Sequence, residues 1–143
     1  MQVKQIMNPC VISVGPEDTA ATAAQLLARH QVGALPVCGP EGGLRGMVTD
    51  RDIVLRCVAL GEDPAKTKVS ALMSRGCATV APGDDARAAA QVMAQHQVRR
   101  LPVLENSRVV GILSLGDLSA HHTCDMETAQ ALCRISGEPV ENP

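Results

Sequence analysis

The chain has 143 residues, of which 45% are hydrophobic; it carries a formal net charge of −2 and contains no Phe, Tyr or Trp. That is enough apolar material for a buried core and too much for a disordered chain. The lack of a basic excess and of aromatic stacking platforms argues against nucleic acid. No run approaches the roughly 18 apolar residues of a membrane span, and the amino terminus lacks a signal-peptide core.

In chain order, Val11-Ile12-Ser13-Val14 reads as a short strand closed by Gly15-Pro16, because proline cannot continue a ladder. Asp18 offers an acceptor for the first amides of a helix. That helix carries Ala20, Ala23, Ala24, Leu27 and Val32 as an apolar stripe of helical period. Two strands follow, Ala34-Leu35-Pro36-Val37 and Leu44-Arg45-Gly46-Met47-Val48, split by a Gly- and Pro-rich turn. A second helix starts near Asp50 and carries Ile53, Val54, Val58 and Leu60. Gly, Pro and charge then interrupt the pattern at 61–67.

From there the order begins again. A shift of 66 lays Val3–Val37 on Val69–Val103, and sixteen of those thirty-five positions are identical. Ala28-Arg29-His30-Gln31-Val32 returns as Ala94-Gln95-His96-Gln97-Val98. Past Val37 the shift is 65, so that Gly46 meets Gly111, Thr49 meets Ser114 and Asp52 meets Asp117. An internal duplication is the direct reading. It divides the chain into repeat 1 (1–60), a linker (61–67), repeat 2 (68–122) and a carboxy-terminal extension (123–143). In the extension, 126–135 reads as a short helix with Leu132 and Ile135 on its apolar side. One repeat is too small to hide its own sheet. The predicted fold is therefore α/β (α+β): two tandem βαββα repeats packed through their sheets about a pseudo-twofold axis.

Chemistry concentrates at the strand-to-helix junctions. Thr49-Asp50-Arg51-Asp52 and Ser114-Leu115-Gly116-Asp117 share the pattern Ser/Thr-x-x-Asp. Such a hydroxyl can cap the helix, with the carboxylate completing a capping box. It can equally bond a phosphate near the helix start, with the carboxylate accepting from ribose hydroxyls. The copies differ just ahead of Leu-Pro, where repeat 1 has Gly33-Ala34 and repeat 2 has Arg99-Arg100. Two guanidinium groups can read phosphate oxygens or can lie solvated on a strand edge.

The duplicated order of strand and Ser/Thr-Val-x-Pro, helix ending His-Gln-Val, Ala/Arg-Leu-Pro-Val, and Gly-Met-Val-Thr-Asp-Arg-Asp resembles the CBS domain, named after cystathionine β-synthase. It is most similar to stand-alone bacterial CBS pairs of the hypoxic-response type, over residues 1 to about 120. The resemblance implies a regulatory module that binds AMP, ATP, S-adenosylmethionine or a related adenosyl ligand in clefts between repeats. It implies ribose contacts from Asp52 and Asp117, and phosphate contacts from Thr49 and Ser114. The adenine pockets would be lined by Ser13, Val32, Gly33 and Ala34 in one copy and by Thr79, Val98, Arg99 and Arg100 in the other.

Metal and catalytic readings have less to stand on. His30 and His96 end equivalent helices, where a cationic imidazole suits the helix dipole. His121, His122 and Cys124, with Asp125, Cys133 or a partner chain, are the candidates for zinc, without an established ligand spacing. The six cysteines stand apart with no CxxC pair, and reduced, buried thiols are expected. No nucleophile–base pair, phosphate loop or HExxH is present. The expectation is a cytoplasmic, non-enzymatic sensor, homodimeric through apolar faces of helices 50–60 and 115–120 that carry Ile53, Val54, Val58 and Leu118, and acting on an unidentified effector protein, with no membrane or nucleic-acid partner. The alternative is a stress-response protein that holds no nucleotide and answers to zinc or to redox state through Cys and His.

Overall fold

The computed structural model describes residues 1–121 and 125–136. The chain partitions into two units, Ile12–Cys77 and a second made of Met1–Val11 with the residues from Ala78 onward. In the first unit α1 (Ala20–His30) leads to the antiparallel pair β1 (Ala34–Cys38) and β2 (Leu44–Thr49). Then comes α2 (Asp50–Ile53), which widens into a π-helical turn at Val54–Val58. The second unit repeats the order with α3 (Ala86–His96), β3 (Arg100–Glu105), β4 (Arg108–Ser114) and α4 (Leu115–Ala120), and adds α5 (Asp125–Ser136). The duplication is present as two repeats of one element order, each with a two-stranded sheet and helices.

The leading strand of each repeat is shorter than predicted. Only Val14 bridges β1, in parallel to Val37, and only Val80 bridges β3, in parallel to Val103. Each makes two backbone bonds, Val14 N–H to Pro36 O and Cys38 N–H to Val14 O, with the same pattern around Pro102 and Leu104. The proline that ends each strand, Pro16 or Pro82, sits two residues on, leaving room for little more.

Both helices also start one residue later than the aspartates suggest. Thr19 caps α1, its hydroxyl accepting the Thr22 N–H at 3.2 Å, while Asp18 accepts the Gly15 N–H at 2.8 Å and closes the preceding turn. Asp85 caps α3 through the Arg87 N–H, and Asp84 accepts the Ala81 N–H. Adjacent residues divide the work, Asp18 and Thr19 in one copy and Asp84 and Asp85 in the other, the first shaping the turn and the next satisfying the helix. Each helix ends in a glutamine in the left-handed region, Gln31 at φ 53° and Gln97 at φ 55°, directly after His30 and His96.

With no aromatics, the cores close by near approach of small side chains. In the second unit Ala86, Ala89, Ala90 and Met93 of α3 are fully buried with Leu101, Val103, Leu113 and Leu118. The first unit assembles Ala20, Ala23, Leu27, Leu35, Val37, Val48 and Ile53 likewise. Burying one such Leu or Val contributes about 1.5–3 kcal/mol.

Each core also takes in residues from the segment that leads into the other repeat. Val3 and Ile6, around a 3₁₀ turn at Val3–Gln5, belong to the core containing α3. Val69, Leu72 and Met73, around the matching turn at Val69–Ala71, belong to the core containing α1. Backbone bonds fasten these segments: Val3 N–H to Asp84 O, Asn8 N–H to Ile112 O, Val69 N–H to Asp18 O and Ser74 N–H to Met47 O. The crossing is close because of glycine. Gly46 lies under the Ser74 carbonyl and Gly111 under Met7 and the Asn8 carbonyl, and a Cβ at either would collide.

Two sequence expectations need correction. Of the five described cysteines, all free thiols, Cys57 alone is buried; Cys10 is exposed, and Cys38, Cys77 and Cys133 are partly covered. The apolar face of α2 is only half free: Ile53 is buried, whereas Val54 and Val58 are more than half exposed, with Leu55 and Leu60 beside them. In α4 Leu118 is buried, which removes it from any uncovered face.

Candidate functional site

The β-hairpins bring the junction residues together by register. Ala34 pairs with Thr49 in the first unit, and Arg100 pairs with Ser114 in the second. A backbone bond locks each arrangement: the Asp50 N–H donates to Gly33 O at 3.0 Å, and the Leu115 N–H to Arg99 O at 2.8 Å. The residue pair ahead of Leu-Pro therefore lies against the start of the following helix in both copies.

Both Ser/Thr-x-x-Asp patterns form capping boxes. Thr49 Oγ1 accepts the Asp52 N–H at 3.0 Å, and Asp52 Oδ2 accepts the Thr49 N–H at 2.9 Å. Ser114 and Asp117 repeat this at 3.0 and 2.8 Å. Capping engages one oxygen of each carboxylate. The other, Oδ1, stands 4.0 Å from Arg56 Nη1 in Asp52, and in Asp117 it takes no bond among the described residues. The hydroxyl protons of Thr49 and Ser114 are also uncommitted, since each oxygen serves the box as acceptor. Capping and ligand contact thus draw on different atoms of the same side chains. Arg56 also donates to Leu72 O at 2.9 Å, so it ties the π-helical turn to the 69–72 segment beside Asp52.

In the second unit a cavity of about 400 Å³ opens at this junction. Arg99, Arg100 and Ser114 line it, with Leu115, Gly116 and Ser119 from α4. Thr128 and Leu132 of α5 complete the lining. Arg100 is partly buried and Arg99 exposed. Of the remaining candidates, Asp117 and Val98 are partly buried close by in sequence, and Thr79 is exposed. In the first unit Val32, Gly33, Ala34, Thr49 and Asp52 are partly buried and Ser13 is exposed. Thr128 and Leu132 were not foreseen. The sequence reading placed Leu132 and Ile135 on the apolar side of α5, but the buried residue is Ala131, which enters the core with Met93. A small residue such as Ala131, set next to the larger Leu132, does not stand out in the sequence as the buried position.

Two thiols of the first unit are held protonated. Burial pushes Cys38 up, against a smaller opposite pull from the Ser13 hydroxyl. Cys77 is pushed up chiefly by burial, with the Asp52 charge adding to it and backbone hydrogen bonds opposing it. Both shifts oppose formation of the thiolate that metal binding and oxidation require. Among the described residues no three His, Cys, Asp or Glu side chains gather to hold a metal. His121 is exposed at the end of α4, while His122 and Cys124 lie outside the described residues. No described helix is long and apolar enough to cross a membrane.

Paired βαββα units with capped Ser/Thr-x-x-Asp junctions define a class, and the match to known families agrees: the chain belongs to the CBS domain family, matched over residues 3–58 and 69–121. It is 42% identical over 138 residues to the CBS domain-containing protein YhcV of Bacillus subtilis, covering 96% of this chain and 97% of that one. It is 40% identical over 118 residues to hypoxic response protein 1 of Mycobacterium tuberculosis, covering 82% of each. The crystal structure of that protein with two coordinated zinc ions superposes with a TM-score of 0.79 over 85% of this chain and 98% of that one, at 39% identity. The structure of CBSX2 in complex with AMP matches at 26% identity and a TM-score of 0.74, over 84% of this chain and 94% of that one.

Proposed function

We propose that this chain is a non-catalytic regulatory module that senses an adenosine-containing ligand, such as AMP, ATP or S-adenosylmethionine, and passes that state to an effector protein. The observation that carries the reading is the convergence of Arg99, Arg100 and Ser114 on one cavity, beside a carboxylate with a spare oxygen. Guanidinium and hydroxyl groups suit a phosphate, and the Asp117 carboxylate suits ribose hydroxyls. AMP in CBSX2, a relative of the same fold, supports the ligand class. The first unit offers Ala34 and Gly33 in place of the arginines, so its counterpart suits a ligand group without phosphate.

A thermal-shift panel of AMP, ATP, S-adenosylmethionine and adenosine tests this. A ligand at a hundred times its Kd stabilises the native state by about 2.7 kcal/mol. Asp117→Asn and Asp52→Asn retain an acceptor for the capping N–H but replace the second oxygen with a donor. Each is expected to melt close to wild type and to lose about 1–2 kcal/mol of adenosyl binding. If no adenosyl compound raises the melting temperature, the sensor reading is lost. Zinc recovered with the purified protein would then favour the metal reading that the zinc-bound relative suggests.

The same reading includes a homodimer. Val54, Leu55, Val58 and Leu60 form an exposed apolar row on and just after the π-helical turn, and twofold self-pairing is the commonest way such a row is covered. Light scattering is expected to report twice the mass of one chain, and Val58→Glu to halve it. A wild-type monomer at every concentration would refute the dimer.

A further inference from the structure

Resting on the adenylate reading above, we infer that α5 is a working wall of the second unit's cavity, and that Thr128 supplies a hydroxyl to the phosphate of a bound nucleotide. Thr128 and Leu132 line the cavity together with Arg99, Arg100 and Ser114. The Thr128 Oγ1 is buried and has no hydrogen-bond partner among the described residues. An unpaired buried hydroxyl is a standing cost, and one placed at the wall of a cationic cavity is relieved by an anionic acceptor. Threonine in a helix divides between two χ1 rotamers, so a single rotation turns the oxygen from the α5 seam toward the space its side chain already borders. Ser114 contributes from the opposite side, because its oxygen accepts the Asp117 N–H and its proton remains free to donate. Two guanidinium groups and two hydroxyl donors form a set for a phosphate monoester, not for a neutral nucleoside.

α5 packs along α3 and against α4. Ala131 enters the core, and the Gln97 side chain donates to Arg134 O at 3.3 Å. Closing a phosphate between α5 and the β3–β4 hairpin adds contacts that only the docked helix makes. Occupancy and docking of α5 are therefore linked, and ligand binding steadies the helix.

The test uses the full chain, with AMP, adenosine and inorganic phosphate as probes. Titration calorimetry is expected to show AMP affinity falling five- to twentyfold in Thr128→Val, with adenosine unaffected. Thr128→Ser, which keeps the hydroxyl, is expected to bind AMP as wild type does. Inorganic phosphate is expected to bind far more weakly than AMP, as befits a subsite of a nucleotide. Amide hydrogen exchange across 125–136 is expected to slow when AMP is added. Wild type that binds AMP while Thr128→Val binds it equally well and α5 exchange stays unchanged would overturn this inference and leave the adenylate reading standing. Wild type that binds neither AMP nor adenosine would overturn both.

Discussion

Gly46→Ala is expected to destabilise the protein by about 1–3 kcal/mol, the cost of overpacking a site that cannot give way. A Cβ at this position falls on the carbonyl oxygen of Ser74, with the Met73 sulfur 3.3 Å away. That carbonyl is not free to retreat. It accepts the Met47 N–H at 3.0 Å, and the Ser74 N–H returns a bond to Met47 O at 2.9 Å. Relieving the clash therefore breaks the exchange that fastens the 69–74 segment to β2. Gly111→Ala at the equivalent place first meets the Met7 side chain, 2.5 Å away at the sulfur, with the Asn8 carbonyl at 3.1 Å. A thioether can swing aside, so the smaller loss is expected there. Thermal unfolding should place Gly46→Ala roughly 4–10 °C below wild type. Equal melting temperatures for wild type and Gly46→Ala would contradict the close crossing.

Arg100→Ala is expected to weaken AMP by about 1.5–3 kcal/mol, the typical worth of a charge-assisted hydrogen bond, which is roughly ten- to 150-fold in Kd. Adenosine should be affected little. Arg100 is the partly buried member of the arginine pair and sits opposite Ser114 in the hairpin register, facing the helix junction. Arg99 is exposed and shares its charge with solvent, so Arg99→Ala is expected to do less. Calorimetric titration of both ligands decides the matter. Equal losses for AMP and adenosine would show that Arg100 shapes the pocket without reading phosphate.

The elements that are legible in the sequence are those whose cause is local. An alanine stripe of helical period, completed by Leu27 in α1 and Met93 in α3, marks both helices, and a Gly- and Pro-rich turn marks the first hairpin. Ser/Thr-x-x-Asp marks the start of α2 and α4 through a capping box that each copy forms. Duplication sharpens all of these, because a pattern seen twice at one offset is not chance. Helix starts slipped by one residue because Asp18 and Thr19, or Asp84 and Asp85, are both competent caps, and only the geometry of the turn assigns the roles. What stayed hidden depends on distant packing. The entry of Val3 and Ile6 into the core of the second repeat has no local signature, and nor does the place of Thr128 on a cavity wall. Burial of Ile53 but not of Val54 or Val58 likewise reflects where the 69–73 segment passes.

That passage of the leading segments sets where the chain can be divided. A fragment ending at residue 60 would lack Val69, Leu72 and Met73, and one beginning at 68 would lack Val3 and Ile6. Neither sequence repeat is thus a self-sufficient folding piece, whereas a cut near residues 11 and 77 releases Ile12–Cys77 with its core complete. Before duplication, two separate single-repeat chains with this topology would have had to trade their leading arms, each filling the gap in the other. In the present chain a peptide linker joins the repeats, so each leading segment fills the other repeat's core within a single chain. Fusion removes the concentration dependence of that exchange.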